Sequence, residues 1–136
     1  MTKTTALALA LALALTLTHT LAAADWTPVA TSQDGKFTLY ADTGTVLVLG
    51  AKVQLLTLTD YQEAQVISAT QSYKSVTMQD EFDCDALRGR HINLTALSGN
   101  MGKGVTVATE TKPAPERSIN PATADGDMLK FACARR

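Results

Sequence analysis

The stretch A-K-V-Q-L-L-T-L-T-D-Y (residues 51–61) decides the fold class of this chain. It is rich in apolar and β-branched residues, which pack well on a pleated sheet and are enriched in β-strands. We therefore predict that this stretch forms a central strand, and that its neighbours in the sequence supply the strands beside it.

The residues before this stretch also indicate strands. K-F-T-L-Y-A-D (36–42) alternates, with Phe37, Leu39 and Ala41 on one face. S-Q-D-G (32–35) has the composition of a turn. D-W-T-P-V-A (25–30) is predicted to be a short strand, and D-T-G-T-V-L-V-L-G (42–50) a turn followed by a short apolar run.

On the C-terminal side, Q-E-A-Q-V-I-S-A-T-Q (62–71) has no clear period, which predicts a loop or one helical turn. S-Y-K-S-V-T-M-Q-D-E-F-D-C-D (72–85) resumes a strand pattern with Val76, Met78, Phe82 and Cys84 on one face. Asp80 falls on that same apolar face. Either a β-bulge changes the register there, or the strand twists and releases Asp80 to solvent.

Further strands are predicted at 88–97, with Ile92, Leu94 and Ala96 together, and at 105–110. The glycine-dense residues 98–104 connect them. The segment 111–122 holds three of the four prolines and is predicted to be a loop.

The C-terminal segment follows a different period. Met128, Leu129, Ala132 and Cys133 recur at helical spacing, and Thr123 or Asp125 is suited to cap the helix. The fold class is therefore α+β: an antiparallel sheet of about six strands with a C-terminal helix packed on it. Long helical patterns between the strands are absent, which argues against a parallel α/β fold.

The N-terminus has the features of a secretory signal. Lys3 precedes a long apolar run that ends in A-A-A, and the A-x-A pattern places cleavage between Ala24 and Asp25. Retention as a membrane anchor is the alternative, because the run is just long enough to span a bilayer. We expect residues 1–24 to be removed, leaving 25–136 as one domain without a membrane span, located in the periplasm or secreted.

The chain has two cysteines, Cys84 and Cys133. In an exported chain, two cysteines favour a single disulfide. The bridge would close a loop of about 50 residues and contribute roughly 4 kcal/mol in the ideal case. A zinc site is disfavoured because no histidine accompanies the distant cysteines, and a C-x-x-C redox motif is absent.

The segment Q-D-E-F-D-C-D (79–85) is the main candidate for polar chemistry. In a strand, Glu81, Asp83 and Asp85 share a face and suggest a cation site. The favoured alternative is a solvated face, paired across a hairpin with Arg88 and Arg90.

No catalytic constellation is apparent, so we expect a non-enzymatic protein without cofactor or metal. His91 lacks an adjacent nucleophile and is predicted to be a surface strand residue. G-N-M-G-K-G (99–104) does not match a phosphate loop and is predicted to be a turn, whereas Asn93 begins a formal N-L-T glycosylation sequon. The few aromatic residues do not suggest a stacking platform. A net charge of −1 with no basic patch disfavours nucleic acid as a partner.

The order of several short motifs resembles the surface-adhesin protein E-like family of small exported bacterial proteins. The resemblance spans nearly all of 26–133. Its motifs are Trp26, Y-A-D-T-G-T-V (40–46), V-Q-L-L-T-L-T-D-Y-Q-E-A-Q (53–65), S-Y-K-S-V (72–76), E-F-D-C (81–84) with Arg88, M-G-K-G (101–104), I-N-P-A-T (119–123) and Cys133.

Two positions depart from the family pattern: Leu56 and Glu116 stand where tryptophans are expected. The lipid-anchoring cysteine of some relatives is also absent. The resemblance implies an antiparallel sheet with a helix tied to it by the disulfide, and a role in adhesion to matrix proteins such as vitronectin and laminin.

Three functions follow as hypotheses. The first is an exported envelope protein that binds a protein ligand through a sheet edge, as a monomer or homodimer. The second is a surface-displayed host-matrix adhesin. The third is a small ligand-binding or enzymatic domain, which requires a deep pocket at His91 or at the acidic run.

Overall fold

A computed structural model describes residues 23–136. They form one antiparallel sheet in the strand order β1-β2-β3-β4-β5-β6, with β7 paired to β5, and one helix. The elements are β1 (Trp26–Thr31), β2 (Phe37–Leu49), β3 (Lys52–Ser68), β4 (Gln71–Asp83), β5 (Arg88–Leu97), β6 (Thr106–Glu110), β7 (Arg117–Ser118) and α1 (Ala124–Cys133). The predicted α+β class is confirmed.

The predicted central strand is β3, which pairs with β2 on one side and β4 on the other. Val53, Leu55 and Leu58 are among its fully buried side chains. Val53 and Leu55 lie on the face that α1 covers, which we call the helix face. Leu58 points to the opposite face, which the loop 98–104 covers, and a Cβ atom at Gly102 would lie 3.9 Å from the Leu58 side chain.

The prediction of a loop or helical turn at 62–71 is wrong. β3 continues to Ser68 and β4 starts at Gln71, so the two strands form a long hairpin arm. The register shifts between Asp60 and Gln65, which accounts for the missing two-residue period. The arm buries little, and Val66 is 77% exposed, so the hydrophobic pattern carries no strand signal there.

The turn predicted within 42–50 is an irregularity inside β2 instead. The pairing with β3 shifts between Asp42 and Leu47. The Asp42 side chain accepts a hydrogen bond from the Gly44 N–H at 3.0 Å, and the Thr45 hydroxyl donates to the Asp42 carbonyl at 2.8 Å. Local hydrogen bonds of this kind replace the missing ladder bonds and let the strand continue.

The segment 111–122 is not entirely a loop. The Ala114 N–H donates to the His91 carbonyl at 2.9 Å, and β7 then pairs with the start of β5. The segment thus follows β5 beyond the end of β6. Pro113 and Pro115 interrupt this edge because proline has no N–H to donate.

The predicted C-terminal helix is α1. Thr123 is its N-cap and accepts a hydrogen bond from the Gly126 N–H at 3.2 Å. Asp125 and Asp127 lie in the first turn and Lys130 in the last, as the helix dipole favours. Met128, Leu129 and Ala132 are buried against the helix face of the sheet. They complete a core with Leu39, Ala41, Val53, Leu55, Phe82 and Ile119.

Gly126 allows α1 to begin close to the preceding chain. A Cβ atom at this position would lie 2.5 Å from the carbonyl oxygen of Asn120 and 2.6 Å from backbone atoms of Pro121. The glycine weakens the helical pattern in the sequence, but the packing requires it.

The predicted disulfide is present. Cys84, in the turn after β4, is bonded to Cys133 at the end of α1, with an S–S distance of 2.03 Å. The bond fixes the C-terminal end of the helix to the sheet. No helix within residues 23–136 has the length and apolar character needed to cross a bilayer.

Candidate functional site

The acidic run does not form the single carboxylate face predicted from the sequence. β4 ends at Asp83, and Asp85 lies in the following turn. Asp80 and Glu81 are both buried, and because neighbouring strand residues point to opposite faces, they serve two different clusters. Within residues 23–136, no three His, Cys, Asp or Glu side chains are placed to hold a metal ion.

Asp80 lies on the helix face, where it is held by two partners. The Thr57 hydroxyl donates to Asp80 Oδ2 at 2.6 Å, and His91 Nδ1 lies 2.5 Å from Asp80 Oδ1. Asp80 is 6% exposed, so the alternative in which the strand twist releases it to solvent is wrong. The buried carboxylate is retained because both of its oxygens are hydrogen-bonded.

The β-bulge suggested for the strand of Asp80 lies in the neighbouring strand β5 instead, so Asp80 stays on the helix face, and the bulge places His91. Gln79 pairs with Asn93, whereas Asp80 pairs with His91, so Ile92 has no partner on β4. The extra residue brings His91 onto the helix face together with Leu94 and Ala96. His91 is therefore a half-buried partner of Asp80, and its prediction as a plain surface residue is wrong.

The pair favours the protonated imidazole. The hydrogen bond to the Asp80 carboxylate raises the pKa of His91 above its usual value, while burial of the ring opposes the shift. Thr57 cannot serve as a nucleophile activated by His91 in this arrangement, since its hydroxyl donates to Asp80 and not to the imidazole.

Glu81 organises a second cluster, on the face opposite the helix. It accepts hydrogen bonds from Lys52 at 3.2 Å, Gln54 at 2.7 Å and Arg90 at 3.0 Å. Burial raises the pKa of Glu81, but the hydrogen bonds from Gln54 and Lys52 and the charge of Arg90 together hold it below its usual value. The predicted pairing with arginine is correct for Arg90, whereas the predicted solvated setting is wrong for Glu81.

Glu116, which replaces an expected tryptophan, belongs to this second cluster. Its carboxylate contacts both Lys52 and Arg88. The hydrogen bond that Lys52 donates to Glu116 raises the pKa of Lys52, and the one that it donates to Glu81 adds to the effect. An ionic contact thus lies near the position at which the sequence resemblance leads us to expect a tryptophan.

A cleft opens between α1 and the sheet, above the Asp80–His91 pair. We call it the helix cleft. It has a volume of about 210 Å³, apolar walls that include Phe37, Tyr61, Met78 and Met128, and a polar end with His91 and Arg117. At its rim, Arg117 donates to Asp125 of α1 at 2.8 Å.

A second depression lies on the same face, beyond the end of the helix. This sheet hollow has a volume of about 380 Å³ and is lined mainly by Ile67, Tyr73, Val76, Leu94, Ala96 and Ala108. Tyr61 borders both depressions. Its ring centroid lies 5.9 Å from that of Phe37 and 5.8 Å from that of Tyr73. The three aromatics form a row, which the sequence interpretation missed because hairpin pairing brings them together.

The sheet hollow adjoins the outer strand β6, which within residues 23–136 pairs with β5 only. Residues 108–110 of β6 pair regularly with β5, and Val107 lies at a shift in register. The opposite outer strand, β1, contains Pro28 beside a register shift and is contacted by α1. β6 is therefore the edge more open to backbone pairing.

The loop 98–104 is a turn, as predicted, and is fixed by hydrogen bonds. The Met101 N–H donates to Asp60 at 2.6 Å, and the Ser75 hydroxyl donates to the Gly99 carbonyl at 2.6 Å. Asn93 is exposed and donates to Gln79 at 3.0 Å. Ala24 and Asp25 are exposed and precede β1, whereas residues 1–22 of the predicted signal segment lie outside the described residues.

Sequence reasoning did not find Thr57, Arg117 or Asp125 as site residues. The two-residue alternation of 51–61 places Thr57 on the same face as Val53 and Leu55, and this position could have identified it as a buried polar residue. Arg117 and Asp125 lie in a segment without a strand period, and only the tertiary fold brings them to the cleft.

Comparisons with known proteins agree with this architecture. Two crystal forms of protein E from Haemophilus influenzae are similar in structure. One has a TM-score of 0.61 and 14% sequence identity, covering 81% of this chain and 84% of that chain. The other has a TM-score of 0.62 and 13% identity, with coverage of 79% and 87%. At such low identities, the likeness shows a shared fold.

No curated protein sequence matches the chain at a significant level. The family model described as Surface-adhesin protein E matches residues 26–134, which includes every strand, the helix and the disulfide. The chain belongs to the surface-adhesin protein E family.

Proposed function

We propose that this chain is an exported protein of the bacterial envelope that binds a protein ligand and has no catalytic activity. Its family is one of surface adhesins, which supports a binding role. The position of Trp26 supports the proposed cleavage between Ala24 and Asp25. β1 starts at Trp26, so removal of residues 1–24 leaves every described strand intact.

The observation that carries the proposal is the open edge of β6 beside the sheet hollow. An extended segment of a partner can add to such an edge through backbone hydrogen bonds, while pockets for alternate side chains provide specificity. Ala108 belongs both to the edge strand and to the lining of the hollow. A bound strand along β6 would therefore direct every second side chain toward an apolar depression.

The geometry around His91 supports a non-enzymatic role. His91 and Asp80 are paired, but the hydroxyl of Thr57, which shares Asp80 with His91, donates to Asp80. A hydrolytic constellation instead requires a nucleophile hydrogen-bonded to the histidine. The cluster stabilises the sheet and shapes the helix cleft.

Adhesion to host matrix proteins is the second candidate, favoured by the family to which the chain belongs. It requires display on the cell surface, whereas a periplasmic binding protein does not. Protease treatment of intact cells separates the two: degradation supports surface display, and complete protection with degradation after lysis supports a periplasmic protein.

Cell fractionation with analysis of the N-terminus tests the proposal as a whole. We expect the protein in the envelope or secreted fraction, beginning at Asp25 and with no free thiol. A cytoplasmic protein that retains Met1 and two free thiols would contradict export and the disulfide together. Affinity capture from envelope extracts and from purified matrix proteins then identifies the ligand.

A further inference from the structure

The polar end of the helix cleft has more hydrogen-bond donors than its protein partners use. His91 bonds Asp80 through Nδ1, and no residue within 23–136 accepts a hydrogen bond from Nε2. Arg117 uses Nη2 toward Asp125, and its remaining guanidinium N–H groups have no acceptor within the same range. A guanidinium has five N–H donors and a protonated imidazole has two, so several donors at this end remain available.

The charged side chains of the cleft are paired with one another. His91, when protonated, pairs with Asp80, and Arg117 pairs with Asp125. Arg90 is engaged by Glu81 from the opposite face. The charges therefore balance, and His91 and Arg117 offer a ligand their remaining N–H donors, beside the apolar wall of the cleft.

From this arrangement we propose that the helix cleft is a binding site for a small carboxylic acid with an apolar body. The carboxylate would accept hydrogen bonds from His91 and Arg117, and the apolar body would lie among Phe37, Tyr61, Met78 and Met128. Arginine pairs well with a carboxylate because its planar fork matches the two oxygens. Sites for drug-sized ligands measure about 300–1,000 Å³, so a volume of about 210 Å³ selects a smaller molecule.

Benzoate and benzamide form a suitable pair of probes, because they have similar shapes and differ in charge. Titration of the isotope-labelled, disulfide-bonded protein by NMR would follow backbone signals of the cleft, such as that of Gly89. We expect saturable benzoate binding, with benzamide at least tenfold weaker. Equal affinity for the two probes, or no saturable shift at millimolar benzoate, would overturn the proposal.

Variants assign the binding to the two donors. Arg117→Gln and His91→Gln should each weaken benzoate binding about tenfold, the loss of one charge-assisted hydrogen bond. Arg136→Gln is the matched control, because Arg136 pairs with exposed Asp85 outside the cleft and should bind benzoate like the wild type. Arg117 is exposed, so its variant tests the site even where His91→Gln lowers stability. Equal losses in Arg117→Gln and Arg136→Gln would contradict the site.

The pH dependence of binding provides an independent test. The titratable groups facing His91 are Asp80 of β4, Arg117 of β7, Asp125 of α1 and Tyr61 of β3, whereas the guanidinium of Arg90 is held by Glu81 on the opposite face. Burial raises the pKa of Tyr61 above its usual value. The hydrogen bond to Asp80 raises the pKa of His91, and the imidazole loses its charge as pH rises through that pKa, so benzoate should bind more weakly at about pH 9 than at about pH 6. Affinity that does not change with pH would contradict the role of His91.

Discussion

Buried Asp80 and half-buried His91 form a pair across β4 and β5, with His91 Nδ1 at 2.5 Å from Asp80 Oδ1. The pair exists because β5 contains one extra residue, Ile92, where its pairing with β4 shifts by one position. It forms one end of the helix cleft and links the stability of the sheet to pH.

The stability contribution of this pair should decrease as pH rises. The folded state raises the pKa of His91 above the unfolded value near 6.5. The contribution is therefore fully present below that value and is lost as pH rises through the folded pKa. Urea unfolding of the wild type and His91→Gln should show a difference in free energy that is largest near pH 5.5 and smaller near about pH 9.

Arg136→Gln provides the control for this pH series. Arg136 and Asp85 form an exposed ion pair away from His91, so the variant should differ from the wild type by a small amount at every pH of the series. A constant difference for His91→Gln as well would show that the histidine pair does not titrate in this range.

Replacement of Cys133 by serine should lower the melting temperature under oxidising conditions. The disulfide spans a sequence separation of 49 residues, and loss of such a native bond costs about 2–4 kcal/mol. Differential scanning calorimetry measures the effect. The double variant with Cys84→Ser should melt close to the single variant, because both lack the same bond. A melting temperature equal to that of the wild type would contradict the stabilising role.

Gly126→Ala should destabilise the protein, although alanine is the better helix former by about 1 kcal/mol. The new Cβ would meet the Asn120 carbonyl oxygen at 2.5 Å, and the backbone there has little room to move. We expect a net loss of roughly 1–3 kcal/mol in urea unfolding. Asp127→Ala, at an exposed position of the same helix, should change stability by about 0.5 kcal/mol or less. A stabilised Gly126→Ala variant would show that helix propensity outweighs the contact.

Most of the fold could be predicted from the sequence because, in most elements, the apolar residues that recur at strand or helix spacing are also the buried ones. Phe37, Leu39 and Ala41 share the helix face as expected, and the helical spacing of Met128, Leu129 and Ala132 marks their burial. The hairpin arm around Val66 escaped prediction because it is exposed, and strand periodicity arises only where one face is buried.

The candidate site could be predicted only in part. The two-residue period of 72–85 places the charged side chain of Asp80 on an apolar face, which predicts a bulge or a twist of the strand at this position. In a regular strand His91 and Leu94 would point to opposite faces, so no two-residue pattern places His91 beside Asp80. The ion pair and the helix cleft depend on one extra residue in β5, Ile92, and on the pairing of β7, which contains Arg117, with the start of β5.

The central claim is that the edge of β6 binds a protein ligand, and a pair of proline variants tests it most directly. Ala108 and Thr109 pair regularly with Ala96 and Thr95, so one of their N–H groups points to β5 and the other points outward. Proline at the position whose N–H points to β5 removes a hydrogen bond of the sheet and should lower the melting temperature. Of Ala108→Pro and Thr109→Pro, the variant that keeps the wild-type melting temperature is therefore the one that lacks the outward N–H donor. We predict that this stable variant loses capture of the ligand that the wild type binds; capture at the wild-type level would contradict binding along β6.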